Sequence, residues 1–121
     1  MSGEIPPQVQ NMLAQLQQLK VQMEALGRQK MQVEAMLRDA ENALEELDKV
    51  DDDALIYKNV GELMIKAGKD AVKEELAEKK ETYGLRQKTL ERQEERGQKR
   101  YQQLQQQLQE ALGGVMQPTV T

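Results

Sequence analysis

Apolar residues recur at intervals of three and four positions along residues 7–50, which is the spacing of a helix with one buried stripe. A heptad frame on this segment has the following a and d positions: Val9, Met12, Leu16, Leu19, Met23, Leu26, Lys30, Val33, Leu37, Ala40, Leu44 and Leu47. All of them except Lys30 are apolar. Because a repeat of about 3.5 residues keeps one seam turned toward a partner helix, residues 7–50 are predicted to form the first helix of a coiled coil.

The pattern changes after the acidic stretch at residues 51–53, which is interpreted as a solvated helix terminator. Two short β-prone runs, residues 55–60 and 63–67, then flank Gly61 and Glu62. A glycine followed by one other residue suits a two-residue turn between strands, so residues 54–67 are predicted to form one β-hairpin. The alternative for this segment is a disordered or helical linker.

A second helix is predicted over residues 70–112, where Gly113 and Gly114 supply a stop and leave residues 113–121 as a flexible tail. Its stripe consists of Leu76, Tyr83, Leu90, Gly97, Leu104 and Ala111, joined late by Tyr101, Leu108 and Val115. Several positions between them are polar, so this helix needs the first one for stability. The fold predicted is mainly α: a long antiparallel two-helix coiled coil joined by one β-hairpin.

The register of the antiparallel pair follows from its irregularities. When the two stripes are aligned from the hairpin outward, Lys30, the charged seam residue of the first helix, falls opposite Glu94. We expect these two side chains to pair and to fix the register, as polar seam residues often do.

Composition limits the chemistry. The chain has 121 residues, 38% of them hydrophobic and 2% aromatic, and it has no histidine and no cysteine. The usual general base, the thiol nucleophile and the common zinc ligands are therefore missing, and a two-helix rod offers no dry cleft for carboxylate chemistry. We expect a single non-enzymatic domain over residues 1–121, without a cofactor or metal.

Charge and hydropathy limit the partners and the location. The net charge is −4, which gives no basic field for nucleic acid or anionic lipid. No apolar run approaches the ~20 residues that span a bilayer, and the first residues lack the basic and apolar regions of a signal peptide. The absence of cysteine mildly favours a reducing compartment, so a cytoplasmic location is expected.

Two apolar surfaces are left for partners. An isolated two-stranded hairpin is marginal in water, so its apolar residues are predicted to pair with hairpins of other chains. These oligomerisation residues are Leu55, Ile56, Tyr57, Val60, Leu63, Met64 and Ile65. The free helix ends form a second candidate, a binding tip, for which the alternative is frayed ends over a closed seam. Its residues are Ile5, Val9, Met12, Leu13, Leu108, Leu112, Val115 and Met116.

Three stretches of the chain resemble the β-type subunit of the prefoldin family. They are residues 5–10 (IPPQVQ), residues 52–61 (DDALIYKNVG) and residues 69–76 (KDAVKEEL). The likeness covers nearly the whole chain, and the central stretch is its most specific part. A single hairpin also resembles the β class, because the α class has two.

The resemblance implies a hetero-hexamer of two α-type and four β-type subunits, whose hairpins assemble into inter-subunit β-barrels. It implies an ATP-independent molecular chaperone that captures unfolded client proteins at the coiled-coil tips and delivers them to a group II chaperonin. The tip residues named above would then be client-binding residues. The alternative is a structural coiled-coil adaptor that binds one specific folded partner.

Overall fold

The computed structural model describes residues 5–116, with side chains as far as Gly113. Its elements are α1 (Pro7–Asp48), β1 (Ile56–Val60), β2 (Leu63–Ala67) and α2 (Lys69–Met116). The two strands pair antiparallel as a two-stranded sheet between two long helices. The predicted fold class is confirmed.

The helix ends differ slightly from the predicted bounds. α1 ends at Asp48, and the N–H groups of Lys49 and Val50 donate to the carbonyls of Glu46 and Leu47 in a tighter turn. α2 begins at Lys69 and continues through Gly113 to Met116. Glycine lowers helix propensity by about 1 kcal/mol relative to alanine, but it does not oblige a helix to end. Residues 117–121 of the predicted tail lie outside the described residues.

The chain divides into two compact units. The described part of the first, here called the terminal unit, comprises residues 5–29 and 90–116, and the second, the hairpin unit, comprises residues 30–89. Each unit contains one stretch of α1 and one stretch of α2, and the hairpin belongs to the second.

Buried apolar side chains form the seam. In the described residues they are Val9, Val33, Ala40, Leu47, Leu90 and Leu104. Each one lies on a stripe predicted from the heptad pattern. Such a narrow stripe is expected when two helices bury only the side chains that face each other.

Contacts within each unit show that the helices run antiparallel. In the hairpin unit, the amide of Gln87 approaches Glu34, and Lys73 forms an ion pair with Asp48, so later residues of α1 meet earlier residues of α2. In the terminal unit, Leu19 and Leu104 line one groove. A Cβ atom added at Gly97 would lie 3.2 Å from Met23 Cγ, so the helices approach closely there.

Candidate functional site

The hairpin is built around a two-residue turn. Gly61 has a φ of 61°, in the left-handed region that favours glycine. No other residue in the described part of the chain has a positive φ. A positive φ at the first turn position alone matches the type II′ turn, whose twist suits a hairpin. Val60 pairs directly with Leu63 on either side of this turn.

Strand register divides the hairpin into two faces. Ile56 pairs with Ala67, Lys58 with Ile65 and Val60 with Leu63, and alternation puts these residues on one face. Tyr57 pairs with Lys66 and Asn59 with Met64 on the other face. Each face therefore carries apolar side chains, which is unusual for a sheet that stays in water on one side.

Most of the predicted oligomerisation residues are exposed. Ile56 is half-buried, whereas the other six have exposed side chains: Leu55, Tyr57, Val60, Leu63, Met64 and Ile65. Exposed apolar side chains in such number are typical of an interaction site. The structure thus places the predicted set on one small sheet, with Leu55 just before it, and its own helices leave the set largely uncovered.

One ion pair joins the hairpin to α2, and another joins the two helices next to it. Lys58 Nζ of β1 donates to Glu75 of α2 at 3.2 Å, and Lys73 of α2 lies 3.1 Å from Asp48 of α1. Lys69 Nζ donates to the carbonyl of Val50 at 2.8 Å. Sequence reasoning missed these lysines as positioning residues, although a lysine at the first residue of a helix is itself a signal, because cations are disfavoured there.

The terminal unit places the predicted tip residues in different environments. Ile5 and Leu13 are 47% and 43% exposed, whereas Val9 is 2% exposed and belongs to the seam. Half-buried positions are Met12, Leu108 and Leu112. The side chains of Val115 and Met116 lie outside the described part of the chain. The exposed part of the predicted site is therefore Ile5, which precedes α1, and Leu13, which lies on the same helix as the buried Val9.

Polar groups line a groove elsewhere in the terminal unit. Its volume is about 180 Å³, and its walls are Gln15, Gln18, Leu19, Gln22, Arg100 and Leu104. A second groove of about 220 Å³ in the hairpin unit is lined by Met36, Asp39, Ala40, Leu76, Lys79 and Tyr83. Both are shallow features of a two-helix surface, without a buried polar group that could carry acid–base chemistry.

Lys30 has a neighbour on its own helix. Its Nζ atom lies 3.9 Å from Glu34 Oε1, and the amide of Gln87 reaches the same oxygen at 3.5 Å, the long end for a hydrogen bond. A polar layer therefore crosses the seam of the hairpin unit near Lys30. The predicted pairing of Lys30 with Glu94 stays a prediction.

Within residues 5–116, the acidic side chains include no group of three or more arranged to hold a metal ion. No helix within that range is long and apolar enough to cross a membrane.

Comparison with known proteins agrees with this architecture. The sequence profile of the prefoldin subunit family matches residues 10–114. Prefoldin subunit beta of Archaeoglobus fulgidus is 61% identical over 93 residues, which cover 77% of this chain and 80% of that protein. Prefoldin subunit beta of Pyrococcus furiosus is 48% identical over 91 residues, covering 75% and 78%.

A solved structure shares the fold. The crystal structure of the prefoldin beta subunit from Thermococcus strain KS-1 matches with a TM-score of 0.83 and 43% identity, over 90% of this chain and 96% of that one. The two long helices and the single hairpin of this chain match the architecture of that subunit. The chain therefore belongs to the prefoldin family, among its β-type subunits.

Proposed function

We propose that this chain is a subunit of an ATP-independent chaperone that captures unfolded proteins and delivers them to a group II chaperonin. The observation that carries the proposal is the exposure of Ile5 and Leu13 beside the buried Val9. Leu13 lies on α1 and Ile5 just before it, and exposed apolar side chains such as these are available to apolar segments of another chain. Family membership supports the same role.

Assembly is assigned to the hairpin. Its two strands pair only with each other in the described residues, so each strand has one edge without a backbone partner. Adding hairpins of other subunits would satisfy those edges and cover the apolar residues on the strands. We assign the hairpin to an inter-subunit β-barrel in a hetero-hexamer of two α-type and four β-type subunits.

Client binding is assigned to the exposed apolar residues of the terminal unit. Burying a few hundred Å² of apolar surface at ~25 cal/mol per Å² contributes a few kcal/mol before ordering costs, so one subunit binds weakly. Several subunits on one platform raise the effective concentration of sites and hence the avidity. Weak individual contacts also permit release to the chaperonin without nucleotide hydrolysis.

Replacing the two exposed residues tests client binding. The Ile5→Ser/Leu13→Ser variant should lose most of its suppression of aggregation of a denatured client, measured by light scattering. The matched control is Val21→Ser/Leu85→Ser, which removes two exposed apolar side chains elsewhere on the helices. Equal suppression by both variants would contradict the assignment.

Truncation tests the whole terminal region. Deleting residues 1–13 together with 109–121 should leave the hexamer intact and abolish the suppression of aggregation. Full holding activity in the truncated complex would remove support for the client site. A panel of unrelated denatured proteins also separates a chaperone from an adaptor, because an adaptor would bind one folded partner and ignore the panel.

Mass measurement tests assembly. Native mass spectrometry of the chain with an α-type prefoldin subunit should give the hetero-hexamer, and Leu63→Asp should prevent its formation, since a charge would be placed in the proposed barrel contact. The control is Leu85→Asp, at an exposed helical position outside the hairpin. A hexamer that forms equally well with Leu63→Asp would contradict the role of the hairpin.

A further inference from the structure

Lys69 occupies an unfavourable position for a lysine in its own helix. It is the first residue of α2, and only Gly68 separates it from Ala67, where β2 ends. A cation at a helix N-terminus lies at the positive end of the helix dipole, which destabilises it. The stability of α2 alone therefore does not explain why a lysine occupies its first position.

The contacts of Lys69 lie across the molecule, at the end of α1. Its Nζ atom donates to the Val50 carbonyl at 2.8 Å and to Asp52 Oδ1 at 3.2 Å. α1 has no basic residue in its last turn, and Lys49, which follows it, pairs with the Glu46 side chain. Lys69 brings a cation there from the other helix, and its side chain is only 14% exposed.

The two contacts differ in weight. The side chain of Asp52 is 96% exposed, and an ion pair with so exposed a partner contributes little because water screens it. The contact with the Val50 carbonyl is shorter and is a charge-assisted hydrogen bond from a side chain that is mostly covered. The backbone contact is therefore the stronger of the two.

This contact closes the base of the hairpin. The chain leaves α1 through Val50 and enters α2 at Lys69, so the hydrogen bond joins the two points between which the hairpin is inserted. Lys58 adds a second link from β1 to Glu75, although both side chains are more exposed. A hairpin of two strands is only marginally stable by itself, so a contact that fixes its base raises the fraction of chains in which it is folded.

We propose that Lys69 is a positioning residue for subunit assembly, which holds the hairpin in place in the free chain through its contact with the Val50 carbonyl. The proposal rests on the proposed role of the hairpin in assembly. A hairpin ordered before a second prefoldin subunit arrives does not have to be ordered during association. Association is faster as a result.

The test replaces the ammonium group and keeps the packing. In the isolated chain, Lys69→Met should speed hydrogen–deuterium exchange of the amides of residues 56–67 roughly tenfold, the size of effect of losing one hydrogen bond to a charged group. Mixing with an α-type prefoldin subunit should then show association slowed by a similar factor. Thermal unfolding of the helices, followed by circular dichroism, should change little.

Three further variants separate positioning from a general loss of stability. Lys69→Arg should restore slow exchange, because a guanidinium group also donates to a carbonyl. Asp52→Ala should stay close to the unaltered chain, since its ion pair is exposed. Lys80→Met removes the same charge from an exposed position of α2 and should change neither rate.

Two results would overturn the proposal: exchange in Lys69→Met at the rate of the unaltered chain, or faster exchange with an unchanged association rate. An effect of Asp52→Ala as large as that of Lys69→Met would overturn the assignment to the Val50 carbonyl. If instead the hairpin has no role in assembly, Leu63→Asp would still form the hexamer. The exchange measurement on the free chain does not depend on assembly, so the two failures can be told apart.

Discussion

The glycines of this chain have different structural roles. Gly61 adopts a φ of 61° in the turn, and Gly97 lies where Met23 of the other helix comes close. Gly84 lies within α2, and a Cβ atom added to it would meet nothing within 4 Å. Substitution by alanine should therefore have opposite effects at Gly61 and at Gly84.

Gly61→Ala should lower the population of the hairpin. An added Cβ meets nothing within 4 Å, so the cost is that of the left-handed backbone alone, about 1–2 kcal/mol. The secondary chemical shifts of residues 56–67 measure the effect. Gly84→Ala is the control and should raise the melting temperature of the helices, since alanine is favoured by about 1 kcal/mol in a helix. Unchanged shifts in Gly61→Ala would contradict the turn assignment.

Leucines on and off the seam should contribute very different free energies. Leu90 is 5% exposed and Leu85 is 60% exposed on the same helix. Leu90→Ala should lower the free energy of unfolding by about 2–5 kcal/mol, while Leu85→Ala should change it by no more than about 0.5 kcal/mol. Urea denaturation at one fixed chain concentration measures both. Similar midpoints for the two variants would show that the seam is placed incorrectly.

The helices and the hairpin depend on each other. α2 contains four glycines and many polar positions in its stripe, so packing against α1 must supply much of its stability. The hairpin in turn is tied to α2 by Lys58, while Lys69 and Lys73 join the start of α2 to Asp52 and Asp48 at the end of α1. No element of this chain is therefore expected to be stable in isolation.

Helix register provides a prediction about Lys30 and Glu94. The sequence pattern pairs them, so Lys30→Glu and Glu94→Lys should each destabilise the chain, and the double variant should recover about 0.5–1 kcal/mol of that loss. Urea denaturation of all four chains gives the coupling free energy.

Glu34 must be controlled in that experiment, because it already lies 3.9 Å from Lys30. Repeating the cycle in a Glu34→Gln background separates the two acidic partners. A coupling of zero in both backgrounds would show that Lys30 and Glu94 are not paired and that the register deduced from the heptads is displaced.

Assembly changes what one weak site can do. Within the described residues, the proposed client site of one subunit exposes only Ile5 and Leu13, which form a small apolar surface. Several copies on one platform act on the same client, and avidity then depends strongly on how many copies are intact.

Mixed complexes test this dependence. Hexamers assembled from unaltered chains and increasing fractions of Ile5→Ser/Leu13→Ser should lose suppression of aggregation more steeply than in proportion to that fraction. Mixtures with Val21→Ser/Leu85→Ser should retain full suppression at every fraction. A strictly proportional decline would indicate that each subunit binds clients independently.

Periodicity in the chain was sufficient to predict the two helices, the turn at Gly61 and the apolar stripe, because each depends on residues close in sequence. The predicted helix end at Gly113 and Gly114 was wrong, because glycine lowers helix propensity without obliging the helix to end, and α2 continues through both.

Burial and long-range contacts needed the tertiary structure. A heptad position says which way Val9 points, but how fully it is covered depends on the facing helix. The contact between Lys69 and the Val50 carbonyl depends on two chain segments that meet only when the hairpin folds back. Side chains that reach across such a junction leave no periodic pattern in the sequence, because their partners come close only when the backbone is folded.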